Sequence, residues 1–427
     1  MSWSPAPAPP GTGQGLPRPQ LDRQGPRTAV IVAVTVLGLV GVGVLVALAV
    51  VAGQVDGLLV ALLLAAVPVP FLVAAYMWLD RYEPEPSRLV AAALVWGAVV
   101  STGAAGLVQW GVASWTGFSF TTVAVVVAPV TEELTKGLLC VVVLVSRRRV
   151  AGMLDGIIYA GLVGVGFAFT ENILYYFGAY AGTLVPDFSG PTAATSVFAV
   201  RGLASPFAHS LFTTAIGIAV VVAVTTRRRW LRRLAPILGY ACAVGLHALW
   251  NGSTLVFNGG GFPLVYVGFM VPLFGFTIWV ATRALNREAE VVRSSLNDAA
   301  RRGWIHPGEV HWLVRYGDRG AARRFARIVA GREAAKALNA YQHAATEMAL
   351  MHDRVIRGCA PDDGVRRVFA HLRRMRSWRP YVVMPPLSSL PPQVLTAKAP
   401  QQPAATLPAT RGDGVMVRRE PSPAPSD

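Results

Sequence analysis

The chain has 427 residues, of which 53% are hydrophobic and 15% charged, with a mean hydropathy of +0.46. A soluble domain carries about a quarter charged residues, so these proportions exclude an ordinary soluble enzyme. Three scattered cysteines (Cys140, Cys242 and Cys359) exclude a disulfide scaffold. The formal charge is +16, with 36 of the 39 basic residues being Arg, and their placement in short loops between apolar stretches points to a membrane topology and not to nucleic acid as partner.

Residues 1–27 are rich in Pro, Gly and Gln without hydrophobic periodicity and read as a disordered lead-in. Eight apolar stretches follow, at about 28–53, 58–79, 89–110, 122–146, 156–178, 201–226, 234–256 and 262–282, each near the roughly 20 residues that cross a bilayer as a helix. The first is longer than the ~7–15 apolar residues of a cleavable signal and reads as an uncleaved anchor. Arg18, Arg23 and Arg27 precede it; Arg81 and Arg88, then Arg147, Arg148 and Arg149, then Arg227, Arg228, Arg229, Arg232 and Arg233 fill every second loop. The alternate loops hold no Lys or Arg apart from Arg201 at the edge of the sixth stretch. Basic loops face the cytoplasm, so both termini are expected inside. The expected fold is all-α: a polytopic membrane bundle of about eight helices.

From 283 to 379 the composition turns soluble, with 20 basic and 10 acidic residues and helical patterns such as AARRFARIVAGREAAKALNAY. This predicts a small basic helical cytoplasmic domain after a membrane core of 28–282. Its charge suits either anionic lipid headgroups or an ordinary solvated surface. Residues 380–427 are Pro-, Ala- and Ser-rich and are expected to be disordered. No internal repeat of the kind that marks many transporters is visible.

Charge inside the apolar stretches is rare and therefore informative. Glu132, Glu133 and Lys136 lie in the fourth, Glu171 in the fifth, His209 in the sixth and His247 in the seventh. An ionised side chain at mid-bilayer costs roughly 2.5–3.5 kcal/mol even on a lenient scale, so such groups must pair, protonate or hold something. At 1.5 Å per residue from the outer ends, the carboxylates of the fourth helix lie about 16 Å deep, Glu171 about 10 Å, His209 about 12 Å and His247 about 14 Å. Six groups on four consecutive helices thus fall in one layer of the outer half-membrane. In TEELTK, Glu132 is four and Glu133 three residues from Lys136, so Lys136 can neutralise one carboxylate while the other, about 100° away, acts on water. The working assignment is Glu133 as general base and Glu132 paired with Lys136. Pro129 upstream should kink the helix and free a carbonyl, and Asn251, four residues after His247, can share its face.

Such a set suits hydrolysis: a glutamate in a partly dry pocket takes a proton from water and returns it to the leaving amine. Two imidazoles with a carboxylate (His209, His247, Glu171) can hold a divalent metal such as zinc, or the imidazoles can donate to an oxyanion. HExxH is absent. A proton-coupled transporter using the same residues as a relay is the alternative from another class, and a degenerate core serving as scaffold is a third.

These residues resemble the PrsW family of intramembrane metalloproteases. The likeness runs from DRYEPEP (Asp80 to Pro86) through EELTK (Glu132 to Lys136) and DGIIYAGLVGVGFAFTEN (Asp155 to Asn172) to the His209 segment and HALWN (His247 to Asn251). It covers about 200 residues of the core and none of the Arg-rich C-terminal part. The wider superfamily includes the CAAX-prenyl and bacteriocin-processing proteases. The resemblance implies a peptidase that cuts membrane-anchored substrates within or just outside the bilayer, an anti-sigma factor in the best-known case, in a bacterial inner membrane. It also implies that Glu132 and Glu133 are the catalytic carboxylates, that Glu171, His209 and His247 complete the site, and that Asn251 fills the last polar position.

Overall fold

The computed structural model describes residues 50, 54–82, 85–146, 152–184, 187–226, 228–255, 260–358 and 360–386. Among them every regular element is a helix. The apolar stretch at 28–53 and both terminal tails lie almost wholly outside the described residues. The remaining seven stretches are each helical. With the sixth split in two, the helices are numbered α1 (Val55–Leu79), α2 (Ser87–Thr116), α3 (120–146), α4 (Met153–Tyr180), α5 (190–204), α6 (Ala208–Thr225), α7 (Arg229–Ser253) and α8 (Gly261–Arg301). Among the described residues six spans are long and apolar enough to cross a membrane: α1, α2, α4, the α5–α6 pair, α7 and α8. α3 is as long as these, but it carries Glu132, Glu133 and Lys136 in its interior.

The sixth expected span differs from its sequence reading. Helix already begins at Gly190 and is interrupted at Ser205–Phe207, where Pro206 removes a donor. Carbonyls on either side of the break find partners locally. Val200 O accepts from Ser205 N at 3.0 Å and Ser205 Oγ at 2.8 Å, and Ala204 O accepts from the Tyr266 hydroxyl of α8 at 2.5 Å. Phe207 in the break stacks on Phe274 of α8, ring centroids 3.8 Å apart.

α4 is the central helix, with 18 of its 28 residues buried. Glycines let its neighbours come close. A Cβ on Gly166 would lie 1.9 Å from Leu94 O of α2, and one on Gly156 2.5 Å from Gly217 O of α6. Lipid supplies no hydrophobic drive between helices, so close backbone approach at small residues is what holds such bundles together. Apolar side chains fill one half of this core, from Tyr82 and Cys140 to Leu154, Ile158, Val220 and Leu285.

The expected boundary at residue 283 is not a break in the fold. α8 runs on as one helix to Arg301. Leu285 still packs in the membrane core, and from Val292 the same helix enters a second apolar core. That second core is closed by α9 (Val310–Val314), α10 (Tyr316–Ile356) and α11 (Gly364–Trp378). α10, read from sequence as a continuous helical pattern, turns back at Gly331 (φ 83°, ψ −175°). Arg319 Nη1 then donates to Thr346 Oγ1 at 3.2 Å and Arg323 Nη1 to Gln342 Oε1 at 2.8 Å across the hairpin. Of the tail expected from 380, residues 380–386 are described: Val382 is buried and Val383 and Met384 pack on the same core.

Candidate active site

α3 opens wide-wound. Ala128 N–H bonds back to Val123 O, five residues away. One step further, that register sets the Ala124 carbonyl against Pro129, which has no N–H to give. Asn251 Nδ2 of α7 donates to the Ala124 carbonyl at 2.8 Å, and Tyr240 of α7 donates to Val130 O at 2.8 Å. Asn251 is thus the tie that seats α7 on α3, one turn beyond His247.

One turn after Pro129 the charged groups converge. Lys136 Nζ, fully buried, donates to Glu133 Oε1 at 2.8 Å and to Glu132 Oε2 at 3.4 Å, and lies 3.2 Å from His209 Nδ1 of α6. Its ammonium also sits over the Phe167 ring of α4, 3.6 Å from the centroid. The pairing therefore differs from the working assignment: Glu133, not Glu132, is the closer partner of Lys136. Glu133 has further partners, its Oε2 accepting from Thr213 Oγ1 at 3.0 Å and its Oε1 also bonded to His247 Nδ1 at 3.0 Å. Glu132 Oε1 accepts from Gln109 Nε2 of α2 at 3.1 Å, and its Oε2 lies 3.7 Å from His247 Nε2.

The hydrogen-bond network fixes how the two imidazoles point. An ionised carboxylate only accepts, so His247 Nδ1 donates to Glu133 and a neutral ring keeps its lone pair on Nε2. Nε2 is buried without a partner among the described residues. His209 Nε2 donates to Glu171 Oε2 at 2.6 Å, and its Nδ1 accepts from Lys136 Nζ. Each histidine thus has one carboxylate behind it and one nitrogen facing the centre, the arrangement that orients ligand histidines in metal sites.

Three residues offer donor atoms all within 4.8 Å of one another: Glu132, His209 and His247. Glu171, expected among the ligands, is not in that group; it stands behind His209 and is held by Arg201 Nη2 at 2.5 Å. The N,N,O donor set and the orphaned Nε2 of His247 fit a divalent metal, whose binding would take His209 Nδ1 from Lys136.

Gln109, Arg201 and Thr213 were not singled out from the sequence as site residues. Arg201 had a visible signal, the lone cation in loops otherwise free of Lys and Arg. Thr213 had a weaker one, four residues from His209 on the same face. Gln109 had none.

Residues 85–277 match the family model described as PrsW family intramembrane metalloprotease. The match starts within the DRYEPEP segment, takes in every residue of the cluster and ends in α8. No curated protein and no solved structure matches the chain.

Proposed function

We propose that the chain is a member of that family, a multi-pass membrane peptidase that hydrolyses membrane-anchored proteins at the Glu132–His209–His247 centre. The observation that carries this reading is the approach of Glu132 Oε2 to His247 Nε2, two acceptors 3.7 Å apart, the second buried without a hydrogen-bond partner among the described residues. Two lone pairs facing each other in a dry site call for a proton, a water or a cation. The family match favours peptide hydrolysis over the proton relay that the same residue types would serve.

In this mechanism Glu132 faces the reacting atoms. It takes the proton of the attacking water and returns it to the leaving amine, while Gln109 holds its far oxygen in place. Glu133 and Glu171 are positioning residues, fixing the tautomers of His247 and His209. Lys136 offsets carboxylate charge, with its closer contact on Glu133. His209 and His247 would hold a divalent metal, zinc by the donor set, with Glu132 Oε2 beside it to take the proton. Such an ion supplies Lewis-acid chemistry, sharpening water as a nucleophile and polarising the scissile carbonyl. The layered depths and the Arg-rich alternate loops support a site in the outer half of a bacterial inner membrane, with both termini cytoplasmic. Single-span anti-sigma-like proteins are the first substrates to try.

The direct test is co-expression with tagged single-span membrane proteins, anti-sigma-like ones included. A fragment is expected with wild type and not with the variant carrying both Glu132→Gln and Glu133→Gln. A fragment that persists in the double variant removes the peptidase reading. The ligand assignment has its own readout in metal content. Protein purified without chelator should contain about one zinc per chain, lost in the His209→Ala, His247→Ala double variant. An unchanged metal content in that variant would place the ion elsewhere.

A further inference from the structure

We propose that Arg201 is a substrate-binding residue whose guanidinium takes main-chain carbonyls of an unwound substrate segment beside the reacting centre; this rests on the peptidase reading above. Arg201 lies within the wide-wound end of α5, Ala199–Ala204, one turn before the Ser205–Phe207 break. Its Nη2 donates to Glu171 Oε2 at 2.5 Å and its Nε to Asn172 Oδ1 at 2.8 Å. The guanidinium lies over the Tyr175 ring, 3.9 Å from the centroid. These contacts lock a planar group in one orientation and engage two of its five N–H donors.

The remaining donors have a place to go. Arg201, Asn172, Ser205, Pro206 and Trp250 line a cavity whose wall also includes His209, and 15% of the Arg201 side chain is still accessible. No partner of Nη1 occurs among the described residues. Ser205 is no substitute donor, because its hydroxyl is already given to Val200 O.

The ligand class follows from two physical points. First, the charge of Arg201 is already met by Glu171, so what it has left to offer is directed N–H groups. Second, a membrane-spanning substrate satisfies its own carbonyls while it is helical, and cleavage requires unwinding around the scissile bond. In hydrocarbon each freed carbonyl must find a donor. A fixed fork with idle donors next to His209 meets that need. Lysine offers the same charge as a point and lacks the fork.

The test uses the full chain in phosphatidylglycerol–phosphatidylcholine nanodiscs and a quenched fluorescent peptide spanning the cut found by co-expression. Arg201→Lys should raise KM about tenfold, the loss of one well-placed hydrogen bond, with kcat within about threefold because Glu171 keeps a cation. Arg201→Gln should lose on both constants. A second probe, with esters replacing the amides that flank the cut, presents weaker carbonyl acceptors. It should bind worse than the first to wild type and no worse than the first to Arg201→Lys. An unchanged KM in Arg201→Lys, or a loss confined to kcat, overturns the binding role and leaves the peptidase reading standing. A wild type that cuts no peptide removes the peptidase reading and this inference with it.

Discussion

The Glu132→Gln variant should lose cleavage by about a thousandfold, the usual scale for removing a general base, and should melt close to wild type. The reason is local. Glu132 gives Lys136 only its longer contact, 3.4 Å, and glutamine in its place can still bond to Gln109. Glu133→Gln should behave differently although it is the adjacent residue. It would take from Lys136 its 2.8 Å partner and from His247 the acceptor that fixes its tautomer. Breaking one side of a buried ion pair costs roughly 3–5 kcal/mol, so this variant should fall in both activity and melting temperature. Purified variants compared by thermal melting and by cleavage of one substrate decide the matter. Equal melting of the two, or full activity in Glu132→Gln, would sink the division of roles.

The second large effect is expected far from any charge. Gly166→Val should prevent stable assembly, because its first methyl-bearing carbon would fall 1.9 Å from the Leu94 carbonyl. That neighbour is helix backbone and cannot rotate away, so the penalty should reach the upper end of overpacking costs, about 3 kcal/mol or more. Gly106→Val is the matched control, a helical glycine of α2 with nothing within 4 Å of an added Cβ, and should leave folding yield and melting nearly unchanged. Similar yields of the two variants in detergent extracts would mean that α2 and α4 are not packed through this contact.

Much of this architecture could be read from the residues. Apolar length located seven of the described helices, and the layer argument brought Glu132, Glu133, Lys136, Glu171, His209 and His247 to one depth, where the structure joins them. What escaped was direction. Depth along a helix says nothing of which side chain reaches across to which. Lys136 at three and at four residues from two glutamates is equally compatible with either pairing. Only the packing of α6 and α7 against α3, which brings Thr213 and His247 onto Glu133, breaks that tie. Glu171 was placed among the ligands because acid and imidazole suit a metal; Arg201, pairing with it from the next helix, turns it outward from the three-donor group. At 283 composition and helix part company: the composition changes there, whereas α8 runs on to Arg301, because a helix stops only where its hydrogen bonds do.

α8 carries a mechanical implication. It rises 41 residues without a break in helix, about 60 Å at 1.5 Å per residue. Its lower end is cemented into the C-terminal core through Val292 and Leu296. Its upper end grips the wall of the cavity, Tyr266 on the Ala204 carbonyl and Phe274 on Phe207. A rod clamped at both ends behaves as a lever. A load that rocks the C-terminal helices would reach the Ser205–Phe207 break beside His209 through this one helix, whose wide-wound stretch Tyr266–Met270 lies at the contact itself.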